Sequence, residues 1–176
     1  MNRFLSLFSL LFIFLFIFLS SCINDDEPEV TSLAPGDSCP EFTIEMNDGE
    51  ILSSSDLKGR ESVIVFFNTG CGDCRRELPE IQKAYDEIQK GNLDIPIICI
   101  SREEDKESVE RFWEANSLTL PYSAQTDRRV YNLFASSVIP RIYILSPQQI
   151  ITRCWSDNPL PSAEEIINSL RHDSNE

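Results

Sequence analysis

Two cysteines separated by two residues, Cys71 and Cys74, are the side chains of this chain best suited to chemistry. Cysteines at this spacing can close into a disulfide and open again to a dithiol. The pair follows an apolar run at residues 62–67 and precedes a helical pattern that starts near Arg75, which predicts a strand-to-helix turn. The unpaired N–H groups and the dipole at a helix N-terminus favour thiolate over thiol. We therefore predict that Cys71 attacks disulfides and that Cys74 resolves the mixed disulfide.

Other uses of a C-x-x-C pair are weaker for this sequence but stay open. A zinc site normally needs four ligands, and the sequence has no second C-x-x-C and one histidine, His172, near its polar C-terminus. A haem attachment site needs histidine directly after the second cysteine, where Arg75 stands. A peroxidase with one reactive cysteine and an inert structural disulfide are the remaining alternatives. We predict no metal and no cofactor other than the redox-active Cys71–Cys74 disulfide.

The N-terminal residues predict export and lipid attachment. After the basic start at Arg3, residues 4–19 are almost wholly apolar, which is shorter than the ~20 residues of a spanning helix and typical of a signal-peptide core. The ending Leu19-Ser20-Ser21-Cys22 resembles the lipobox of bacterial lipoproteins, which implies a lipid on Cys22. An uncleaved membrane anchor is the alternative. Either form places the rest of the chain outside the cytoplasm, where disulfides persist.

The rest of the sequence divides into a tether and one domain. We assign residues 1–21 to the signal peptide, residues 22–35 to an acidic tether and residues 36–173 to a single domain that is long enough to bury a core. The net charge of −14 argues against nucleic acid and anionic lipid headgroups as partners, so membrane attachment would depend on the lipid. The acidic residues after Cys22 resemble export signals of Gram-negative lipoproteins. We expect a cell-envelope location, facing the periplasm or the cell surface.

Strand and helix patterns alternate along the predicted domain. Residues 41–46, the turn Asn47-Asp48-Gly49 and residues 50–52 predict a hairpin. Further strands are predicted at 62–68, 95–100, 141–145 and 150–155, and helices from the cysteine pair to Gly91, at 105–116, at 127–134 and from Ser162. This order predicts an α/β fold with a central mixed β-sheet, helices on both faces and an N-terminal β-hairpin extension.

Several motifs occur together in the predicted domain. They are the C-x-x-C at a strand-to-helix junction, Pro79 five residues after the second cysteine, Ile139-Pro140 before a late strand, and the segments Pro35-Gly36-Asp37 and Leu57-Lys58-Gly59. In this combination the sequence resembles the thioredoxin-like fold and, within it, the TlpA/ResA branch of membrane-tethered thiol-disulfide oxidoreductases. The resemblance covers residues 34–171.

The resemblance implies roles for particular side chains. Cys71 would be the exposed attacking thiol and Cys74 the buried resolving thiol. Pro140 would follow a cis peptide bond, and the backbone around Ile139 would hydrogen-bond an extended substrate. Glu77 would exchange the proton of Cys74, with burial raising the pKa of Glu77 towards the working range. The alternative for Glu77 is a solvated residue in the first helical turn that complements the helix dipole.

Two residues depart from the pattern of that branch. Gly70 stands where many relatives carry Trp, which leaves Cys71 more open to solvent. Asp73 places a carboxylate between the cysteines, where it opposes a thiolate, while Arg75, Arg76 and Arg141 act in the other direction. We expect a reductant, because the branch mostly reduces disulfides and because Asp73 disfavours an oxidant.

The expected activity is therefore the reduction of disulfides in exported proteins, with electrons from an unidentified thiol donor. A non-catalytic binding module of the thioredoxin fold and a thiol peroxidase are the alternatives. Three further cysteines have no assigned role in this activity. Cys99 lies in an apolar strand and is predicted to be a small buried hydrophobe. A bridge between Cys39 and Cys154 is left open, because spacing alone cannot establish it.

Overall fold

A computed structural model describes residues 32–172 of the protein. The predicted signal peptide, the lipidation site Cys22 and most of the predicted tether lie outside the described residues. Within residues 32–172, no helix combines the length and the apolar character that a membrane span requires.

A five-stranded mixed sheet forms the centre of the fold. The strands, in chain order, are β1 Thr43–Glu45, β2 Ile51–Ser53, β3 Ser62–Phe67, β4 Ile97–Ser101, β5 Tyr122–Ser123, β6 Arg141–Leu145 and β7 Ile151–Trp155. The order across the sheet is β5-β4-β3-β6-β7, with β3, β4 and β5 parallel, β6 antiparallel to β3, and β7 antiparallel to β6. The strands β1 and β2 form a separate antiparallel hairpin, so the predicted mixed sheet and N-terminal hairpin are confirmed.

The helices follow the strands as predicted, with one shorter than expected. They are α1 Gly72–Lys90, α2 Lys106–Ala115, α3 Arg129–Asn132 and α4 Ala163–His172, and a 3₁₀ turn spans Ser54–Leu57. The helix predicted at 127–134 contains only the four residues of α3. Its end tightens because the N–H of Phe134 bonds to the carbonyl of Tyr131, three residues back, at 2.9 Å.

Two hydrophobic clusters cover the two faces of the sheet. On one face, Val65 and Phe67 of β3 pack with the apolar sides of α1, α2 and α4. On the other face, Ile64 and Phe66 of β3 pack with α3 and the N-terminal hairpin. Every residue of β3 is buried because this strand is central and covered on both faces. The predicted placement of helices on both faces is therefore confirmed.

The edge strand β5 was not predicted from the sequence. It has two residues, which are too few to show an alternating pattern. The hairpin covers this edge, since the N–H of Asn47 donates to the carbonyl of Tyr122 at 2.7 Å and the N–H of Tyr122 donates to Oδ1 of Asn47 at 3.0 Å. The N-terminal hairpin thus forms hydrogen bonds with backbone groups of β5 that would otherwise be unpaired at the edge of the sheet.

Candidate active site

The strand β3 and the helix α1 present the cysteine pair at the C-terminal edge of the sheet. Residues 68–70 form the turn between them, and Cys71 is the N-cap of α1. The backbone N–H of Cys74 donates to Sγ of Cys71 at 3.4 Å. An N–H group at this place, together with the helix dipole, stabilises a negatively charged sulfur. Cys71 is only partly buried, which leaves its sulfur open to a partner.

Cys74 occupies the opposite environment, inside the core beneath the turn. Its side chain is 0% exposed. Burial raises the pKa of Cys74 well above its usual range, and a hydrogen bond with the thiol of Cys71 raises it further, while a backbone hydrogen bond with Asn68 and, more weakly, the charge of Arg102 act in the other direction. Both cysteines are free thiols, so the structure represents the dithiol form. The pair has the asymmetry that an attacking and a resolving thiol require, and the assignment of these roles stays a prediction.

The loop with Ile139 and Pro140 lies directly against the cysteine pair. The peptide bond between these two residues is cis, as the resemblance implied. The thiol of Cys71 donates to the carbonyl oxygen of Ile139 at 3.7 Å. The structure therefore brings the two predicted substrate-binding residues next to the attacking sulfur. Their contact with a substrate stays a prediction.

Glu77 is buried one helical turn after Cys74. Its side chain is 2% exposed, and its Oε1 has no hydrogen-bond partner. Burial first, and then the charges of Glu80 and Glu165, raise the pKa of Glu77 to about 7. The alternative of a solvated residue in the first turn is therefore wrong. The raised pKa suits a group that exchanges protons near neutrality, and this role stays a prediction.

The charged residues beside the cysteines are engaged in contacts within the protein. Arg76 forms an ion pair with Asp73, so the carboxylate between the cysteines is partly neutralised inside its own helical turn. Nε of Arg75 donates to the carbonyl of Thr69 at 2.5 Å, and its guanidinium lies over the ring of Phe112 at 5.6 Å from the ring centre. Arg75 thus fastens the turn to the first helical residues.

The turn before Cys71 is held by Asn68. Its Oδ1 accepts the N–H of Gly70 at 2.9 Å, and its carbonyl accepts the N–H of Cys71 at 3.0 Å. A Cβ atom at Gly70 would approach Oδ1 of Asn68 to 3.0 Å, so a side chain there would press on the atom that holds the turn. In this turn, the side-chain amide and the backbone carbonyl of Asn68 position the residues directly before the helix.

Sequence reasoning missed two residues, Arg102 and Glu104, which follow β4 and also position the site. Glu104 accepts the N–H of Thr69 at 2.8 Å with one carboxylate oxygen and the Thr69 hydroxyl with the other. The carbonyl of Arg102 accepts Nδ2 of Asn68 at 3.0 Å. The signal was available in part, because the carboxyl ends of adjacent parallel strands meet at one edge of a sheet. Polar residues directly after the next strand predicted along the chain, at 95–100, were therefore candidates.

The remaining described cysteines lie away from the pair, and all three are free thiols. Cys99 is 0% exposed in β4, which confirms the prediction of a small buried hydrophobe. Burial raises the pKa of Cys39 to about 11, which disfavours its thiolate. The N–H of Cys39 donates to the carbonyl of Gln149 at 2.8 Å, and Cys154 is the fourth residue of β7; both are free thiols in this structure, so they form no bridge here. Across residues 32–172, no group of three or more His, Cys, Asp or Glu is arranged to hold a metal ion.

Comparisons with known proteins agree with this geometry. The model of the AhpC/TSA family matches residues 35–154. Among curated proteins, the thiol-disulfide oxidoreductase ResA of Bacillus subtilis (strain 168) is 26% identical over 117 residues, which cover 66% of this chain and 64% of that protein.

Solved structures show the same fold. The thioredoxin domain of a thiol-disulfide oxidoreductase from Bacteroides vulgatus matches with a TM-score of 0.69 and 22% identity, covering 82% of this chain and 100% of that chain. StoA from Bacillus subtilis matches with a TM-score of 0.63 and 22% identity, covering 77% of this chain and 98% of that chain. These comparisons confirm the predicted thioredoxin-like fold, and the curated relatives that this chain matches include ResA thiol-disulfide oxidoreductases, as the resemblance implied.

Proposed function

This chain belongs to the AhpC/TSA family, and we propose that it is a membrane-tethered thiol-disulfide oxidoreductase that reduces disulfides of exported proteins through Cys71 and Cys74. One observation supports this proposal above the others. The partly exposed sulfur of Cys71 lies at the N-terminus of α1 and 3.7 Å from the carbonyl of Ile139, with the buried thiol of Cys74 behind it. This arrangement allows attack from outside and resolution from inside.

The reaction transfers two electrons from the dithiol to the substrate. The thiolate of Cys71 attacks one sulfur of the substrate disulfide, so an S–S bond forms to Cys71 and the other substrate sulfur leaves as a thiolate. Cys74 then loses its proton and attacks Sγ of Cys71. The mixed disulfide breaks, the second substrate thiolate leaves, and the protein is left with a Cys71–Cys74 disulfide. A thiol donor, whose identity is open, returns the pair to the dithiol.

Glu77 is the proposed acceptor of the Cys74 proton. Burial raises the pKa of Cys74 so strongly that its thiolate is scarce at neutral pH, and a nearby base lowers the cost of the second step. A carboxyl group with a pKa of about 7 is partly ionised under these conditions. It can take the proton during oxidation of the pair and return it during reduction.

The substrate is proposed to lie along the cis-proline loop. Ile139 is half-buried and its carbonyl faces the attacking sulfur, so the backbone around Ile139 is available to an extended segment. Pro140 has no N–H group, so no backbone donor from this residue competes for the sulfur. The recognition is through backbone groups, which suits a protein that acts on several exported substrates.

The proposed location rests on the N-terminal sequence. A lipid on Cys22 would hold the domain at a membrane of a Gram-negative cell envelope, on the periplasmic side or at the cell surface. Exported proteins with disulfides and a thiol electron donor are the proposed partners, and the net charge of −14 argues against nucleic acid.

The test is the capture of partners on variants of the pair, expressed in the cell envelope. Cys74→Ser keeps the attacking sulfur and removes the resolving one, so mixed disulfides through Cys71 should accumulate. Cys71→Ser should trap few partners, because the remaining sulfur is buried. Cys154→Ser, which removes a partly exposed free thiol outside the pair, is the matched control and should behave like the unaltered protein.

The purified dithiol form should also reduce a small protein disulfide such as insulin. A protein that traps no partner with Cys74→Ser and reduces no disulfide would be a binding module instead. Rapid turnover of hydroperoxide by the dithiol form, in the absence of disulfide reduction, would instead identify a thiol peroxidase. Either outcome would overturn the proposal.

A further inference from the structure

The backbone of Arg102 is hydrogen-bonded to the residues that lead into the cysteine turn. Arg102 directly follows β4, and its N–H donates to the carbonyl of Phe67, the last residue of β3, at 2.9 Å. Its own carbonyl accepts Nδ2 of Asn68 at 3.0 Å. Asn68 in turn holds the N–H of Cys71. Arg102 is therefore fastened to the segment that presents the attacking sulfur.

The side chain of Arg102 contacts the segment that leads into the cis-proline loop. It is 17% exposed, and Nη1 donates to the carbonyl of Ser137 at 2.8 Å. The guanidinium lies 5.0 Å from the centre of the Tyr131 ring, and the hydroxyl of Tyr131 donates to the carbonyl of Val138 at 2.8 Å. Ser137 and Val138 lead directly into the cis-proline loop. One residue therefore connects the cysteine turn to the loop that faces it.

The charge of Arg102 is also placed to act on the buried thiol. Its Nε is buried and has no hydrogen-bond partner, and the nearest carboxylate oxygen, on Glu103, is 3.8 Å away. Among the described residues, Arg102 is the cation whose charge counteracts the effect of burial on the pKa of Cys74. A positive charge near a buried sulfur is effective because water screens it little.

We propose that Arg102 is a positioning residue for the second half of disulfide exchange: it holds the cis-proline loop against the cysteine turn and stabilises the thiolate of Cys74 as that sulfur attacks Cys71. This inference rests on the proposed function. Arg102 forms no bond and transfers no proton in the step. It lowers the free energy of a negative charge that develops on Cys74 while the Cys74 proton leaves.

The expected effect is confined to the resolving step. A neighbouring charge shifts a thiol pKa by about 1–2 units, and thiolate nucleophilicity changes with pKa by a Brønsted slope of about 0.5, so loss of the charge should slow attack by Cys74 about 3- to 10-fold. Attack by Cys71 on a small disulfide should change little, because the sulfur of Cys71 is held by the N–H of Cys74 and a small disulfide, unlike an extended protein segment, does not lie along the cis-proline loop.

The two steps can be separated with the aromatic disulfide DTNB and the purified dithiol protein. Attack by Cys71 releases one thionitrobenzoate ion, and attack by Cys74 on the mixed disulfide releases the second, so stopped-flow absorbance records both. Arg102→Gln should slow the second release about 3- to 10-fold and leave the first within about 2-fold. Arg102→Lys, which keeps the charge, should recover most of the rate.

A matched control is available at Arg128. Its guanidinium lies over the same Tyr131 ring at 5.3 Å, donates to the carbonyl of Ser136 at 2.6 Å and approaches the same Glu103 carboxylate to 3.6 Å. Arg102, and not Arg128, is the cation whose charge lowers the pKa of Cys74. Arg128→Gln should therefore leave the second release unchanged, although it removes comparable contacts.

The outcomes are distinct. An unchanged second release in Arg102→Gln, or an equal slowing in Arg128→Gln, would overturn the inference, because the effect would then be absent or merely structural. Failure of Arg102→Lys to recover the rate would overturn the electrostatic part. If the unaltered protein released no thionitrobenzoate at all, the proposed function itself would fail, which separates the two results.

Discussion

The most informative contrast at the scale of single residues is between two neighbouring buried groups, Cys74 and Glu77. Both are nearly inaccessible, and burial raises the pKa of both. For the thiol of Cys74, the raised pKa means that the group is protonated at neutral pH. For the carboxyl it means a pKa of about 7, where the group can accept that proton. The same desolvation therefore acts on both groups of the proposed proton exchange, on successive turns of α1.

The first prediction concerns Glu77 and the pH dependence of stability. Its folded-state pKa of about 7 lies above the ordinary value of 4.5, so the folded protein binds more protons than the unfolded chain between these values. The free energy of unfolding must therefore fall as pH rises from 4.5 to 7 and stay lower above that range. Glu77→Gln should remove this fall. Its free energy of unfolding, relative to that of the unaltered dithiol protein, should therefore be about 2–3 kcal/mol higher at about pH 8 than at about pH 5. Urea unfolding at both pH values measures the difference.

The control for this measurement is Asp105→Asn. A hydrogen bond from the N–H of Ser108 lowers the pKa of Asp105, so its contribution changes only below the ordinary value of 3.8. Its difference from the unaltered protein should stay constant over the same pH range. A constant difference for Glu77→Gln as well would show that Glu77 is not a buried acid.

Glu77→Gln should also affect the DTNB experiment. Loss of this base should slow the second release of thionitrobenzoate about 100-fold at about pH 8 and leave the first release unchanged.

At the scale of elements, the reactive turn is shaped by the segment directly after the neighbouring strand β4. The turn at 68–70 has little apolar surface of its own to bury. Its conformation depends on hydrogen bonds to Arg102 and Glu104, which both belong to that segment. The parallel pairing of β3 with β4 places these residues beside the turn. The segment after β4 therefore serves the site as much as the element that contains the cysteines.

The second prediction tests this support. Glu104→Ala removes two hydrogen bonds from Thr69 to a carboxylate, and hydrogen bonds to charged groups are the stronger ones, so the free energy of unfolding should fall by about 2 kcal/mol. Glu103→Ala is the matched control, since its exposed carboxylate makes only ion pairs at 3.6 and 3.8 Å, and should cost less than about 0.5 kcal/mol. Urea unfolding of both variants measures the difference. Equal losses would mean that the Thr69 contact adds nothing.

At the scale of the whole molecule, the chemistry lies at one end of a sheet whose edges and faces are covered by other parts of the chain. Helices α1, α2 and α4 cover one face, and α3 with the N-terminal hairpin covers the other. The described chain begins close to the site, because Nη2 of Arg141, directly after the cis-proline, donates to Oγ of Ser32 at 2.8 Å. Ser32 therefore lies at the same end of the sheet as the cysteine pair.

The third prediction concerns the tether. If Cys22 is lipidated, cells grown with labelled palmitate should incorporate the label into the unaltered protein, and Cys22→Ser should lose it and leave the membrane fraction. Cys39→Ser, which changes a partly buried thiol of the domain, is the control and should keep the label. Purified domains of both variants should reduce a disulfide at the unaltered rate. Label retained by Cys22→Ser would assign the membrane attachment to another feature.

Local patterns in the sequence were sufficient for several features of the protein. The cysteine spacing, the buried run before it and the amphipathic pattern after it predicted β3, α1 and the turn between them, because each depends on residues close together in the chain. The end of α1 at Gly91 was also predictable from a local signal. The cis-proline could be inferred only through the resemblance that the motifs carry together.

Tertiary structure decided the features that tune the reaction. The sequence allowed Glu77 to be solvated or buried, and the tertiary structure buries it within the influence of the Glu165 charge on α4. The contacts of Thr69 with Glu104 and of Arg102 with Ser137 each join residues 35 positions apart. Such contacts exist because the order β4-β3-β6 brings three chain segments to one edge of the sheet. Local residue types therefore determine the reactive groups, and long-range strand pairing determines their surroundings.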